Sequence, residues 1–321
     1  MKYSVRALAC ALCVLLVAAA ARAESWPTRP VRMIVPFPAG GTLDILARQI
    51  GQEISKSTGQ PFVVENKPGG GTVIGVDAAA KSTDGHTFVM VANSFAVNAT
   101  LVKSLPYDTL KDLQPVGLVA RTANVLAAHP SLPAGNLQEL IAYAKRNPGK
   151  LSYASFGNGT TAHFAGEMLK LMAGIDMLHV PYKGQLPGMN DVIAGRVDLM
   201  FGNLPEFLPQ IHAGKLKAYG TTYLKRAKLA PEIPTIAEQG FPQFTTDSWY
   251  GILAPASASA EAVTRLNAEV NAALAVPAIS ESLEKRGLDR LGGSPEQFGA
   301  FMRQEIAKYA KIVADANIKI D

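Results

Sequence analysis

The chain has 321 residues, 48% of them hydrophobic and 18% charged, with a formal charge of +5. That length suits two domains of ordinary size, and no Lys/Arg-rich patch interleaved with aromatics appears, which disfavours nucleic-acid binding. Both cysteines, Cys10 and Cys13, precede Ala23, so the rest of the chain can form no disulfide, Cys-based metal site or thiol nucleophile.

The first residues read as a secretory signal rather than as part of the fold. Lys2 and Arg6 form a basic start, Leu8 to Ala21 is a short apolar run, and Ala21-Arg22-Ala23 is a small-x-small cleavage site. Removal after Ala23 leaves a periplasmic chain starting at Glu24 and lowers the formal charge from +5 to +2, because Lys2, Arg6 and Arg22 depart. A lipoprotein reading of Cys10 is poor, since Ala7-Leu8-Ala9 lacks a large apolar residue three positions before it. No later run approaches the ~18 uninterrupted apolar residues of a spanning helix, so a soluble mature protein is expected.

The N-terminal third alternates strand and helix. Val31–Val35 reads as a strand, Leu43–Ser57 as a helix with Ile45, Leu46, Ile50 and Ile54 on one face, and Phe62–Glu65 as a strand. Thr72–Lys81 follows as a helix and Thr87–Ala92 as a strand, a pattern that implies a parallel sheet with helices on both faces. Lys67-Pro68-Gly69-Gly70-Gly71 reads as a turn, and Asn93–Asn98 as a loop at the strand ends.

A second unit of the same kind follows. Val116–Ala128 is a strand pair or one crossing strand, and Asn136 caps a helix through Lys145 with Glu139 completing a capping box. Leu151–Ala154 is a strand, Thr161–Met172 a helix with Phe164, Met168 and Leu171 at helical spacing, and His179–Pro181 a short strand. Pro187–Ala194 and Pro205–His212 read as helices, Val197–Phe201 and Lys217–Thr221 as strands. Trp249–Leu253 is the last strand, before helices over Ala260–Leu274 and Ala278–Lys285 and one opened by Ser294-Pro295-Glu296-Gln297. The C-terminal helices can return to the first unit if the chain crosses twice, near Val116–Val125 and Thr245–Leu253. The resulting division is a first lobe of residues 24–122 and 248–321 and a second of 123–247, hinged around a cleft.

The chemistry concentrates in loops that leave strands and enter helices. Phe37 to Asp44 offers the free N–H groups of Ala39, Gly40, Gly41 and Thr42, with Thr42 as the expected N-cap and Asp44 in the first turn. Such a turn aims unpaired donors and the positive end of the helix dipole at one point, which suits an anion. Far downstream, Ser155-Phe156-Gly157-Asn158-Gly159-Thr160-Thr161 repeats the arrangement with more hydroxyls and amides. Ser94 and Asn98, then Tyr182 and Lys183 before Gly184, then Asn203, are further candidate walls, all following strands where ligands of such sheets bind. His163 reads as packed or solvated rather than catalytic.

Familiar catalytic arrangements are missing. Ser155 has Tyr153 where a G-x-S-x-G elbow needs Gly, the five histidines contain no i,i+4 pair, and no paired carboxylates or metal-ligand cluster stand near the loops. Neither a P-loop lysine nor a dinucleotide fingerprint is present.

Taken together, VRMIVPFPAGGTLDILAR, VVENKPGGGTVIG, SYASFGNGTTAHFAGEML, HVPYKG, DLMFGNLPEFLPQIHAGKLKAYGTT, IPTIAEQGFPQF and SWYGILAPA resemble, in order, the Bug/TctC family. These are the periplasmic solute-binding receptors of tripartite tricarboxylate transporters. The resemblance implies an α/β Venus-flytrap of the type II periplasmic-binding class, two lobes joined by two crossing strands. It also implies capture of a small mono- or dicarboxylate without a cofactor or metal, no enzymatic turnover, a monomer, and delivery to integral-membrane permease subunits. A signalling alternative, in which the closed form docks on a sensor kinase ectodomain, uses the same cleft. Phe37, Ala39, Gly40, Gly41 and Asp44 match the family's first loop, Ser155, Gly157, Gly159, Thr160 and His163 its second, and Tyr182, Lys183 and Gly184 its third. Leu43 stands where the family usually has Ser or Thr, and Pro38 where Ala is common. A lost hydroxyl at Leu43 predicts one ligand hydrogen bond weakened by ~1 kcal/mol, and Phe95 an apolar wall for an aromatic or longer dicarboxylate.

Overall fold

The computed structural model describes residues 26–315 and 318; the expected signal segment and both cysteines lie outside them. Ten strands form one continuous sheet in the order β2-β1-β3-β9-β4-β7-β5-β6, with β10 and β8 also on β4. The strands are β1 (Val31–Val35), β2 (Phe62–Asn66), β3 (Thr87–Ala92), β4 (Leu113–Ala128), β5 (Leu151–Ser155), β6 (Met177–Pro181), β7 (Leu199–Asn203), β8 (Lys217–Thr221), β9 (Asp247–Pro255) and β10 (Asp289–Arg290). Among the described residues ten α-helices accompany them: α1 (Thr42–Thr58), α2 (Val73–Ala80), α3 (Asn93–Leu101), α4 (Leu137–Arg146), α5 (Thr161–Ala173), α6 (Gln185–Ile193), α7 (Leu204–His212), α8 (Ala260–Ala275), α9 (Pro277–Lys285) and α10 (Pro295–Asp315).

Each half of the sheet holds three parallel strands, β2-β1-β3 and β6-β5-β7. β4 runs antiparallel to its partners in both halves. Leu113 to Ala123 pairs with β9, and from Asn124 onward β4 pairs with β7 and β8 instead. One continuous strand therefore serves both halves of the sheet, and the two-lobed architecture turns on the change of partner between Ala123 and Asn124.

Alternating strand residues feed two cores per half, because successive side chains point to opposite faces. Met33 and Val35 pack with Leu46 and Ile50 of α1 and Leu266 of α8. Ile34 packs on the other face with Val76 of α2, Phe95 of α3 and Phe298 of α10. In the second half, Leu126 and Tyr153 meet α4 and α5, while Val125 and Ala154 meet α6 and α7. The C-terminal helix touches both halves: Tyr309 of α10 meets Phe164 of α5 edge to face, ring centroids 5.0 Å apart.

Several local expectations change. Asn93–Asn98 is not a loop but the start of α3, which follows β3 without a break. The N-cap of α1 is Gly41, with Thr42 already inside the helix. Asn136 does cap α4 by accepting from the Glu139 N–H at 2.9 Å, but Glu139 returns its bond one residue early, to the Gly135 N–H. Ser294 and Gln297 complete the reciprocal box. Leu171 is 48% exposed, since α5 buries the face of Phe164 and Leu169 and turns Leu171 outward.

Candidate ligand-binding site

Loop one is held open by its own acid. Gly40 has φ +83, a left-handed conformation that a side chain disfavours, so glycine is required there for the turn. The first helical bond of α1 runs from the Ile45 N–H to the Gly41 carbonyl. The N–H groups of Thr42, Leu43 and Asp44 therefore precede the ladder and have no acceptor among the described hydrogen bonds. The Asp44 carboxylate turns back on the loop: Oδ2 accepts from Gly40 N–H at 2.9 Å and Arg48 Nε at 3.0 Å, and Oδ1 accepts from Asn66 Nδ2 at 3.0 Å. Asn66 Nδ2 also donates to the Phe37 carbonyl at 3.1 Å. Burial pushes the Asp44 carboxyl up, but the bonds from Arg48, Gly40 and Asn66 outweigh it and hold it below the ordinary range. Asp44 thus shapes the loop, and its oxygens are already engaged. Ala39, Gly40 and Gly41 are exposed.

Loop two reaches the same shape with neutral groups. Gly159 has φ +73 and gives its N–H to His163 Nδ1 at 3.2 Å. The Ser155 hydroxyl lies 2.7 Å from His179 Nε2 and also accepts from Gly157 N–H at 3.2 Å. Thr160 Oγ1 donates to the Gly157 carbonyl at 2.6 Å. His163 and His179 stack with centroids 4.1 Å apart. Burial lowers His163 to about 4, helped by Lys170, and lowers His179 to about 3, helped by His163. Both rings are neutral supports. The N–H groups of Thr161, Ala162 and His163 precede the first bond of α5, from Phe164 N–H to the Thr160 carbonyl, and have no acceptor among the described bonds.

Between the loops, β9 and β4 supply a polar floor. Ser248 Oγ lies 2.9 Å from Thr161 Oγ1 and donates to Asn203 Oδ1 at 2.9 Å, which also accepts from Asn124 Nδ2 at 2.9 Å. Tyr250, buried, sets its hydroxyl beside those of Thr42 and Ser248. Thr42 of loop one, Tyr250 and Ser248 of β9, and Thr161 of loop two therefore form one path across the sheet. A cavity of about 230 Å³ adjoins it, lined by Thr42, Asn203 and Glu206 among others. A larger groove of about 740 Å³, formed by residues 99–112 with Ile306, touches neither loop.

The candidate residues divide by place. Phe37, Ala39, Gly40, Gly41, Thr42 and Asp44 form loop one; Ser155, Asn158, Gly159, Thr160 and Thr161 form loop two. Only Thr42 and Thr161 connect to the floor through their side chains. Ser94 and Asn98 are buried on α3 and turn to the glycine turn, Ser94 Oγ lying 3.3 Å from Thr72 Oγ1 and Asn98 Nδ2 donating to the Gly71 carbonyl at 2.9 Å. Tyr182 backs loop two, its N–H on the Ser155 carbonyl and its hydroxyl donating to Asp191 at 2.7 Å, while Lys183 is exposed. Asn203 belongs to the floor. Two expectations are overturned: Leu43 is buried with Val35 and Leu46, and Phe95 is buried against Tyr107. Both side chains are core, so position 43 faces Val35 and Leu46 rather than a ligand's hydrogen bond, and Phe95 offers no wall. Sequence reasoning missed Asn124, Glu206, Ser248 and Tyr250. Hydroxyl side chains two apart on one face of a mostly apolar strand, Ser248 and Tyr250, were the available signal.

Comparison with known proteins agrees with this architecture. The profile of the family described as tripartite tricarboxylate transporter family receptor, TctC, matches residues 46–318. The chain belongs to this family. BugT of Bordetella pertussis is 36% identical over 307 residues, spanning 95% of this chain and 94% of its own. A structure of Rpa4515 from R. palustris with adipate is 37% identical with a TM-score of 0.84, covering 92% of this chain and 99% of that one. MatC of Rhodopseudomonas palustris with bound malate is 29% identical with a TM-score of 0.80, covering 90% and 100%. The receptor is accordingly of the periplasmic solute-binding type. Among its described residues, no helix is long and apolar enough to cross a membrane, and no group of three His, Cys, Asp or Glu side chains is placed to hold a metal.

Proposed function

We propose that this receptor closes its lobes, residues 24–122 with 248–321 and residues 123–247, over a small mono- or dicarboxylate. It then delivers that acid, unaltered, to integral-membrane permease subunits, acting as a monomer exported by cleavage after Ala23. The observation that carries the reading is the pair of unpaired N–H sets, Thr42 to Asp44 and Thr161 to His163, at two helix N-termini joined by one polar floor. Fixed neutral donors bind a carboxylate through several hydrogen bonds and through both helix dipoles. No bound countercharge has to be broken for release. The adipate and malate held by the two relatives support a carboxylate of a few carbons.

Thermal-shift and calorimetric screens of organic acids test the reading. A cognate acid at about a hundred times its Kd should add ~2.7 kcal/mol of stability. If no carboxylate stabilises the mature protein while a sugar or a cation does, the proposal fails. Gly41→Leu should abolish binding in a folded protein: a Cβ at Gly41 meets nothing nearer than the Pro38 carbonyl at 3.7 Å, and its φ of −77 suits any residue.

A further inference from the structure

The cavity beside the floor is lined by a carboxyl group, Glu206, one oxygen of which is buried without a hydrogen-bond partner. Glu206 is the third residue of α7, whose N-cap is Asn203. In that position a glutamate ordinarily folds back to accept from the N-cap N–H. Here Gln185 Oε1 already takes the Asn203 N–H, at 2.6 Å. Glu206 is thereby displaced from its capping role, and its Oε2 is buried without a hydrogen-bond partner. The Nε2 of Gln185 is also buried and unpartnered.

The surroundings sharpen what is missing. Thr42 of loop one and Glu206 of α7 line the same space, about 230 Å³, together with Lys285 and Arg286. That volume lies below the ~300–1,000 Å³ of drug-sized pockets, so its occupant is small. Lys285 makes its ion pair with Glu281. No ion pair joins Glu206 to Lys285 or Arg286 among the described residues, although the Arg286 charge is near enough to be felt. Burial pushes the Glu206 carboxyl upward against its own backbone N–H, the nearby amides of Gln185 and Asn203, and the Arg286 charge. Leaving Oε2 buried without a donor is costly, and a second anion placed against this carboxyl is costlier still.

We propose that Glu206 is a specificity-determining residue. It accepts a hydrogen bond from a hydroxyl or ammonium group borne by the bound organic acid, and it rejects an acid that presents a second carboxylate at the α7 end of the cleft. This rests on the carboxylate-receptor reading above and narrows its ligand class to donor-bearing acids.

The test is isothermal calorimetry on the mature protein with matched series of equal chain length. For the four-carbon skeleton the probes are butanoate, 4-hydroxybutanoate, 4-aminobutanoate and succinate; the six-carbon series is hexanoate, 6-hydroxyhexanoate, 6-aminohexanoate and adipate. In the best-binding series, the hydroxy or amino acid should exceed the plain acid and the dicarboxylate by about tenfold or more. Glu206→Gln should lose the ammonium preference, keep the hydroxyl preference and gain affinity for the dicarboxylate. Glu206→Met should lose both donor preferences, and circular dichroism should show both variants folded. The proposal is overturned if the wild type prefers the dicarboxylate, if both variants keep the wild-type ranking, or if they weaken every acid equally. If no acid of either series binds the wild type but another carboxylate does, donor selection at Glu206 falls and the receptor reading stands. If no carboxylate binds at all, the receptor reading itself falls.

Discussion

Loop one and loop two do the same job with opposite chemistry. Both turn a strand into a helix through glycines and leave three N–H groups unpaired. Loop one is braced by an ionised carboxylate, Asp44, whose charge is balanced by Arg48. Loop two is braced by uncharged imidazoles, His163 and His179, and by the Ser155 hydroxyl. The difference follows from place. Arg48 is half-exposed, so loop one can keep a charge pair in contact with water. Loop two lies between the halves, with Gly159 against Val97 and with Phe164 against Tyr309. An unbalanced charge there would be expensive, and neutral acceptors are the alternative.

The largest expected effect comes from breaking the tighter loop. Gly159→Val places a β-branched residue at φ +73 with its Cβ 3.4 Å from Val97 Cγ1. Binding should disappear and the melting temperature should fall, whereas Gly41→Leu should remove binding alone.

Acid separates the loops next. The neutral histidines favour the folded state fully above pH 6.5, their ordinary value, and that stability is lost as pH falls toward about 4 for His163 and about 3 for His179. The unfolded chain takes up protons that the folded rings refuse, at up to ~1.4 kcal/mol per pH unit for each ring. Asp44 works at lower pH: its stabilisation holds above 3.8 and is lost only as pH falls through its lower folded value. Urea melts of the wild type and of His163→Gln/His179→Asn across pH 4–7 check this; the double variant should be less stable at pH 7 and show a flatter slope.

Asp44→Asn should cost ~1–3 kcal/mol at neutral pH, the range for losing charge-assisted hydrogen bonds to a buried group, and should weaken ligand binding through a looser Gly40. Arg48→Ala should be the mildest, roughly 0.5–1 kcal/mol, because its guanidinium is exposed to water and salt. Should Arg48→Ala prove as damaging as Asp44→Asn, the contrast between a solvated and a buried brace would be wrong.

Much of this was legible in the sequence because it is local. Alternating apolar runs and helical spacings marked β1, β3 and β8 at their observed limits, and the Asn136 and Ser294 caps stood where their side chains now bond. Both glycine loops were visible as strand-to-helix turns. Less legible was α3, whose Asn-Ser-Phe-Ala-Val-Asn start lacks a cap and a polar face; Asn93 instead donates to the Asp247 carbonyl and accepts from the Trp249 N–H, both far along the chain.

The sequence by itself determined the alternating architecture and the two anion-suited turns, since each depends on neighbours within a few residues. Only the tertiary structure decided which side chains face the cleft. Leu43, read as the place of a lost ligand hydroxyl, and Phe95, read as a cleft wall, both turned into the core. Ser94 and Asn98 turned to the glycine turn, and Asp44 to its own loop. The floor of Asn124, Asn203, Ser248 and Thr161 arises where β4 exchanges β9 for β7. That exchange brings together residues more than a hundred positions apart in the chain. Hydrophobic periodicity says which face of an element is buried; which polar residues then meet is settled by strand order and register.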